Sequence, residues 1–215
     1  MIRRLWGICL VFFCVAASTD AALLFSEWQF GTAQAGPLVN YAATTRDSGV
    51  SAAVLSSSGG TIVPSVTGGV LQYSWGNGGE GGLNGAVLHL EMTVSSAYSG
   101  PFSASYSATS AKLTALTGTW SYWVNSGTPT LLSPKAINLA GANNDALANI
   151  TLSPTDVLHL QFAFSGAVAS SGNGDLIIDN LNISVPEPVN VALGIFGVLA
   201  MAMACGRRVL AVRRA

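Results

Sequence analysis

Between positions 22 and 185 this chain has no cysteine; its three, Cys9, Cys14 and Cys205, lie towards the ends. A disulfide framework, a thiolate zinc site and a cysteine nucleophile are therefore excluded from that stretch, and a hydrophobic core must hold it without staples. Basic residues are nearly as scarce. From 22 to 186 only Arg46, Lys112 and Lys135 stand against Glu27, Asp47, Glu80, Glu91, Asp145, Asp156, Asp175 and Asp179, a net charge of −5. So sparse and acidic a surface argues against nucleic acid, which needs a basic footprint, and against docking on anionic lipid. No amphipathic helical periodicity of useful length occurs from 22 to 185. Neither GxSxG nor HExxH is found, and no run of metal ligands. The glycine-rich stretch 76–85, GNGGEGGLNG, is followed by no lysine and opens no helix, so it reads as a flexible connection or a turn over a sheet end and not as a phosphate cradle.

What is present is alternation. Residues 22–30, ALLFSEWQF, place Leu24, Ser26, Trp28 and Phe30 on one face of a first strand. Val50, Ala52 and Val54 alternate more weakly, and Leu71, Tyr73 and Trp75 share a face of 70–75. In 86–94, Leu88, Leu90, Met92 and Val94 oppose Val87, His89, Glu91 and Thr93, the mark of a half-buried antiparallel strand. Phe102, Ala104, Tyr106 and Ala108 form the next face. Trp120, Tyr122 and Val124 follow together, with Trp123 reversed. Short candidates span 133–139 and 148–152. In 156–164 Leu158, Leu160, Phe162 and Phe164 point inward, with His159 and Gln161 outward. The last strand, 175–185, puts Ile177, Leu181, Ile183 and Val185 on one face. Strict alternation adds Asp179 to that face, and an inward aspartate needs a partner, a bulge or a metal. Short strands divided by Gly/Ser/Asn turns predict an all-β antiparallel sandwich of about nine or ten strands, jelly-roll-like.

The two ends read differently. Arg3 and Arg4, an apolar run over 5–17, and small residues Thr19 and Ala21 predict a signal peptide, 1–21, cut after Ala21. The rest divides into an exported domain, 22–185, and a tail, 186–215. The tail begins Pro186-Glu187-Pro188, a break that no helix or sheet interior accepts. Eighteen uncharged residues, 189–206, then suffice to cross a hydrocarbon core of about 30 Å as a helix. Arg207 and Arg208, with Arg213 and Arg214, make the tail 207–215 basic, stop transfer and hold the C-terminus in the cytoplasm.

Pro-Glu-Pro, apolar helix and arginine cluster, in that order, closely resemble the PEP-CTERM sorting signal of bacterial envelope proteins. The resemblance implies an exported protein, first anchored in the inner membrane and then processed near Pro186, Glu187 and Pro188 by an exosortase-type enzyme. It further implies association with exopolysaccharide or biofilm at the cell surface or in the extracellular matrix. The exported stretches LLFSEWQF, SYSATSAKLTALTGTWSYWVNSG, LHLQFAFSGA and IIDNLNISVPEP resemble the ectodomains common among such proteins, which are similar to jelly-roll carbohydrate-binding modules. No cofactor is expected. The one metal the resemblance offers is a structural calcium, for which Glu27 of the first strand and Asp179 of the last match loosely.

Of the aromatic residues, Trp75, Trp120, Tyr122 and Trp123 are the candidates for stacking on sugar rings. Trp120 and Tyr122 read better as core, and Trp123, on the opposite face, is the candidate glycan contact. His89 and His159 have no partner in any sequence motif and read as solvent-facing strand histidines. The expectation is a non-enzymatic, exported matrix protein with no catalytic residue, handled by signal peptidase and an exosortase. A carbohydrate-binding module with a specific glycan ligand is the alternative, ahead of a polysaccharide hydrolase working through paired carboxylates.

Overall fold

A computed structural model describes residues 22–186, and Leu23–Val185 form one compact unit. The predicted signal peptide with Ala21, and Glu187, Pro188, the span 189–206, Arg207 and Arg208 of the predicted tail, lie outside the described residues. Among the described residues no helix is long and apolar enough to cross a membrane.

The strands in chain order are β1 (Ala22–Trp28), β2 (Tyr41–Ala42), β3 (Thr45–Arg46), β4 (Val50–Ser58), β5 (Ser65–Thr67), β6 (Val70–Trp75), β7 (Val87–Val94), β8 (Tyr98–Thr109), β9 (Leu113–Val124), β10 (Thr130–Leu131), β11 (Lys135–Ala136), β12 (Ala140–Leu152), β13 (Val157–Ala169) and β14 (Gly174–Pro186). They form two antiparallel sheets of a sandwich. One sheet runs β12-β8-β14-β1-β3, with β6 also on β14 and β5 on β6. The other runs β10-β9-β13-β7-β4-β2, with β11 also on β9. Consecutive long strands alternate between the sheets from β6 through β9 and again from β12 through β14, so hydrogen-bonded neighbours are mostly distant in sequence.

Where the apolar alternation is clean, the strand follows it. Leu88, Leu90, Met92 and Val94 of β7 and Leu158, Leu160, Phe162 and Phe164 of β13 are all buried between the sheets, as are Leu71, Tyr73 and Trp75 of β6. Each such side chain contributes about 1.5–3 kcal/mol by leaving water. Phe162 sits at the centre of an aromatic cluster. Trp120 stacks on it at 4.3 Å, Tyr106 lies 5.3 Å away, and Phe164 meets it edge-on at 5.0 Å. Gly118 opposes Phe164 across β9 and β13. A Cβ there would run into the Phe162 ring, so the cluster requires glycine at that point.

Departures from alternation have local causes. Register with β7 shifts between Val50 and Ala52, so a β-bulge turns Ala53 and Leu55 inward and leaves Ala52 exposed. The expected Val50/Ala52/Val54 face is thereby corrected. In β14 the register with β8 shifts between Asp179 and Asn182, and Asn180 adopts φ 50°. This second bulge reverses the phase. Leu176 and Ile178 are buried before it and Leu181, Ile183 and Val185 after it, so neither Ile177 nor Asp179 shares the core face. In β1, Phe25 is buried beside Ser26 and Trp28, and packs edge-on against Tyr98 and Phe102 at 4.9 and 5.2 Å. β12 is longer than the expected 148–152 because polar residues, Asn143 and Asp145, take inward positions along its first half.

The glycine-rich stretch closes one end of the sandwich. A 3-10 turn, Glu80–Leu83, buries Leu83 fully. Gly60, at φ 64°, faces it so closely that a Cβ would come 2.6 Å from the Gly82 carbonyl oxygen. Thr61 N–H donates to that same carbonyl at 2.9 Å.

Candidate functional site

Outward residues of four adjacent strands, β4, β7, β13 and β9, build a chemically varied surface of the sandwich. Register places Val54, Glu91, His159 and Trp123 in one row across them. Ser56, His89, Gln161 and Ser121 form the next row. Each is outward because its strand neighbours are the inward apolar residues of the core, and the side-chain period of a strand is two. The rows enclose a shallow groove of about 260 Å³, lined by Asn40, Ser56, His89, Glu91, Trp123 and His159 among others.

The Trp123 indole and the His159 imidazole lie parallel, 5.0 Å apart at 7°. The Nδ1 atom of His159 is 3.7 Å from Oε2 of Glu91, whose side chain is 55% exposed. That separation suits an ion pair once the ring is protonated but is too long for a hydrogen bond. One row along, His89 Nε2 lies 2.9 Å from the Ser58 hydroxyl. Burial, and after it the nearby His159, push the His89 imidazole below the ordinary histidine range. Ser121 Oγ contacts Gln161 at 3.5 Å.

The histidines therefore have partners that no sequence motif announced: a ring for His159 and a hydroxyl for His89. Ser58 and His89 stand at the separation of a nucleophile and its base. No carboxylate hydrogen-bonds the other ring nitrogen of His89 among the described residues, so nothing there orients the ring as a triad would. The arrangement as a whole offers an indole stacked on one imidazole, a second imidazole, one carboxylate and several neutral hydrogen-bonding groups.

A second hollow, of about 460 Å³, lies between residues 31–34 and 40–44. Its lining is mostly small residues, and its one aromatic hydroxyl, Tyr41, is committed to Thr32, donating to the carbonyl and accepting from the N–H at 3.0 Å each. It carries no charged side chain, so the groove across β4, β7, β13 and β9 is the better candidate.

The other predicted site residues lie elsewhere. Trp75 and Trp120 are buried, and Tyr122 packs against the core. Glu27, on β1, accepts a hydrogen bond from Gln29 at 2.9 Å. Asp179, at the β14 bulge, accepts from the Asn180 N–H at 2.7 Å and from its side-chain amide at 3.2 Å. Among the described residues no three His, Cys, Asp or Glu side chains converge as a metal set. Pro186 is the last residue of β14.

No family model matches this chain, and no curated protein does. Among solved structures, TmCBM61 in complex with beta-1,4-galactotriose aligns over 62% of this chain and 82% of its own, at 9% identity and a TM-score of 0.32. The enzymatically active domain of tailspike protein 4 from bacteriophage CBA120 aligns over 62% of this chain and 19% of its own, at 13% identity and a TM-score of 0.33.

Proposed function

We propose that this chain is an exported, non-catalytic β-sandwich module that binds exopolysaccharide through the groove across β4, β7, β13 and β9. The reading rests on the Trp123 indole, stacked on the His159 imidazole and bordered by hydrogen-bonding groups in a groove open to solvent. A pyranose presents one apolar face and a rim of hydroxyls. Such a ligand needs a ring to lie on and polar atoms at the edge, in a concave site with few charges. We read the sandwich as jelly-roll-like, on the alternation of its long strands between the sheets and on the pairing of β1 with β14.

In the same proposal the ends handle traffic. Signal peptidase cuts after Ala21, the span 189–206 rests in the inner membrane with Arg207 and Arg208 as the stop, and an exosortase-type enzyme processes Pro186–Glu187–Pro188. The first residue of the triplet, Pro186, is the last of β14. Export then delivers the module to the cell surface or matrix of a biofilm. A calcium between Glu27 and Asp179 forms no part of this reading.

The test is electrophoretic retardation of the detergent-solubilised full-length chain in gels containing single polysaccharides, with reducing ends assayed in parallel. Retardation by at least one glycan, lost in Trp123→Ala at unchanged melting temperature, supports the reading. Equal retardation of the variant overturns it, and accumulation of reducing ends replaces it with a hydrolase. Mass spectrometry of the exported protein tests the traffic: an N-terminus at Ala22 and a loss of mass near Pro186 are expected, and an intact Ala215 counts against processing.

A further inference from the structure

The groove has a charge character that constrains its ligand. Among the described residues Glu91 is its one carboxylate, and none of the three cations between 22 and 186 lies on the outward rows of β4, β7, β13 and β9. Arg46 is on β3 of the other sheet. Lys112 lies in the β8–β9 turn, with its backbone held by Ser110 and Ser170. Lys135 is tied to Asp145 at 2.5 Å. A uronic-acid polymer, with a carboxylate on each sugar, would bring its charges against Glu91 and a surface of net charge −5 with no fixed cation to receive them. The Debye length of about 8 Å at physiological salt does not screen groups in direct contact.

We propose that the groove is charge-selective: it takes uncharged or amino-bearing pyranose polymers, Glu91 accepting their hydroxyl or ammonium hydrogens, and it turns away uronic-acid polymers at neutral pH. This inference rests on the reading of the groove as a glycan site. Acidity relaxes the selection. Histidine is the side chain that charges between pH 5 and 8, and His89 and His159 both border the groove. The groups facing them are Glu91 from β7, Trp123 and Ser121 from β9, Ser56 and Ser58 from β4, and Gln161 from β13. Asp156, at the end of β13, is held by Asn125 and the Ser153 N–H. One imidazolium beside Glu91 would offset that single carboxylate, while burial and the neighbouring ring resist a second charge on His89, so the groove loses its net negative charge without turning cationic; uronic acids stay ionised down to the ordinary carboxylate range.

Galactan, chitosan and alginate serve as the uncharged, amino-bearing and anionic probes, run against the detergent-solubilised full-length chain at pH 7.5 and 5.5. At pH 7.5 the chain is expected to be retarded by galactan and chitosan, and roughly tenfold less by alginate. At pH 5.5 the alginate deficit should shrink. Glu91→Gln should weaken chitosan retardation more than galactan retardation. Alginate binding as strong as galactan binding at pH 7.5 overturns the selectivity while leaving the glycan reading intact. Binding to none of the three at either pH counts against the glycan reading itself. Chitosan retardation that survives in Trp123→Ala marks adsorption to an acidic surface and overturns the assignment to Glu91, as does chitosan retardation unchanged in Glu91→Gln.

Discussion

Asp145 shows how one buried carboxylate joins the two sheets. It belongs to β12 in one sheet and is 5% exposed. It accepts from Trp120 Nε1 of the other sheet at 3.0 Å and from Lys135 at 2.5 Å. Burial, and then the charge of Asp145, push the Tyr106 hydroxyl well above its ordinary range. Truncation to Asp145→Ala strands a buried indole N–H, and we expect a loss of about 2–3 kcal/mol in urea unfolding. Asp145→Asn keeps an acceptor for Trp120, and Lys135, 57% exposed in its side chain, can turn to water; that variant should lose less than half as much. His89 supplies a pH dependence. Burial first and His159 second depress its folded pKa, so the unfolded chain takes up the proton earlier as pH falls. Stability is full above the unfolded value of about 6.5 and declines as pH drops through the folded one. Urea midpoints at pH 7.5 and 5.5 should therefore converge in His89→Gln.

At the scale of the element, the bulges of β4 and β14 decide which side chains meet the core. The β14 bulge holds Asn180 at φ 50°, a conformation that glycine and asparagine accept and β-branched residues do not. Asn180→Gly should stay within about 1 kcal/mol of the parent, whereas Asn180→Val should lose about 1–3 kcal/mol, both read from chemical denaturation. Strict alternation placed Asp179 inward, which left three remedies open: a partner, a bulge or a metal. The structure contains the bulge. The β4 bulge had no such signal: Val50-Ser-Ala-Ala-Val-Leu reads equally well in either phase, and only pairing with β7 selects Ala53 and Leu55 as the inward residues. β12 escaped for the opposite reason, since its inward Asn143 and Asp145 look like solvent-facing residues until their partners are known.

At the scale of the molecule, almost every long strand pairs with one distant in sequence; β14 alone joins β6, β8 and β1. Neither sheet has a buried face without the other, so the sandwich should not melt in parts. A chain trimmed to residues 22–186 is expected to unfold in a single transition, with coincident fluorescence and circular-dichroism midpoints, and to refold in milliseconds to seconds, as non-local β topologies do. Two resolved transitions would show that one sheet can stand alone.

Composition and period two by themselves determined that the stretch 22–185 is all-β, that it has no cysteine and few basic residues, and which residues of β6, β7 and β13 are core. Those properties are local: alternation states which face of a strand is apolar, and turns state where it ends. Trp123 was legible as the outward ring of its strand for the same reason. Only the tertiary structure set Trp123 parallel to His159, brought Glu91 beside them, gave His89 its hydroxyl partner and set Asp145 against Trp120. Those contacts join strands more than 20 residues apart in sequence, and register across a sheet is chosen by the whole packed core rather than by any one segment.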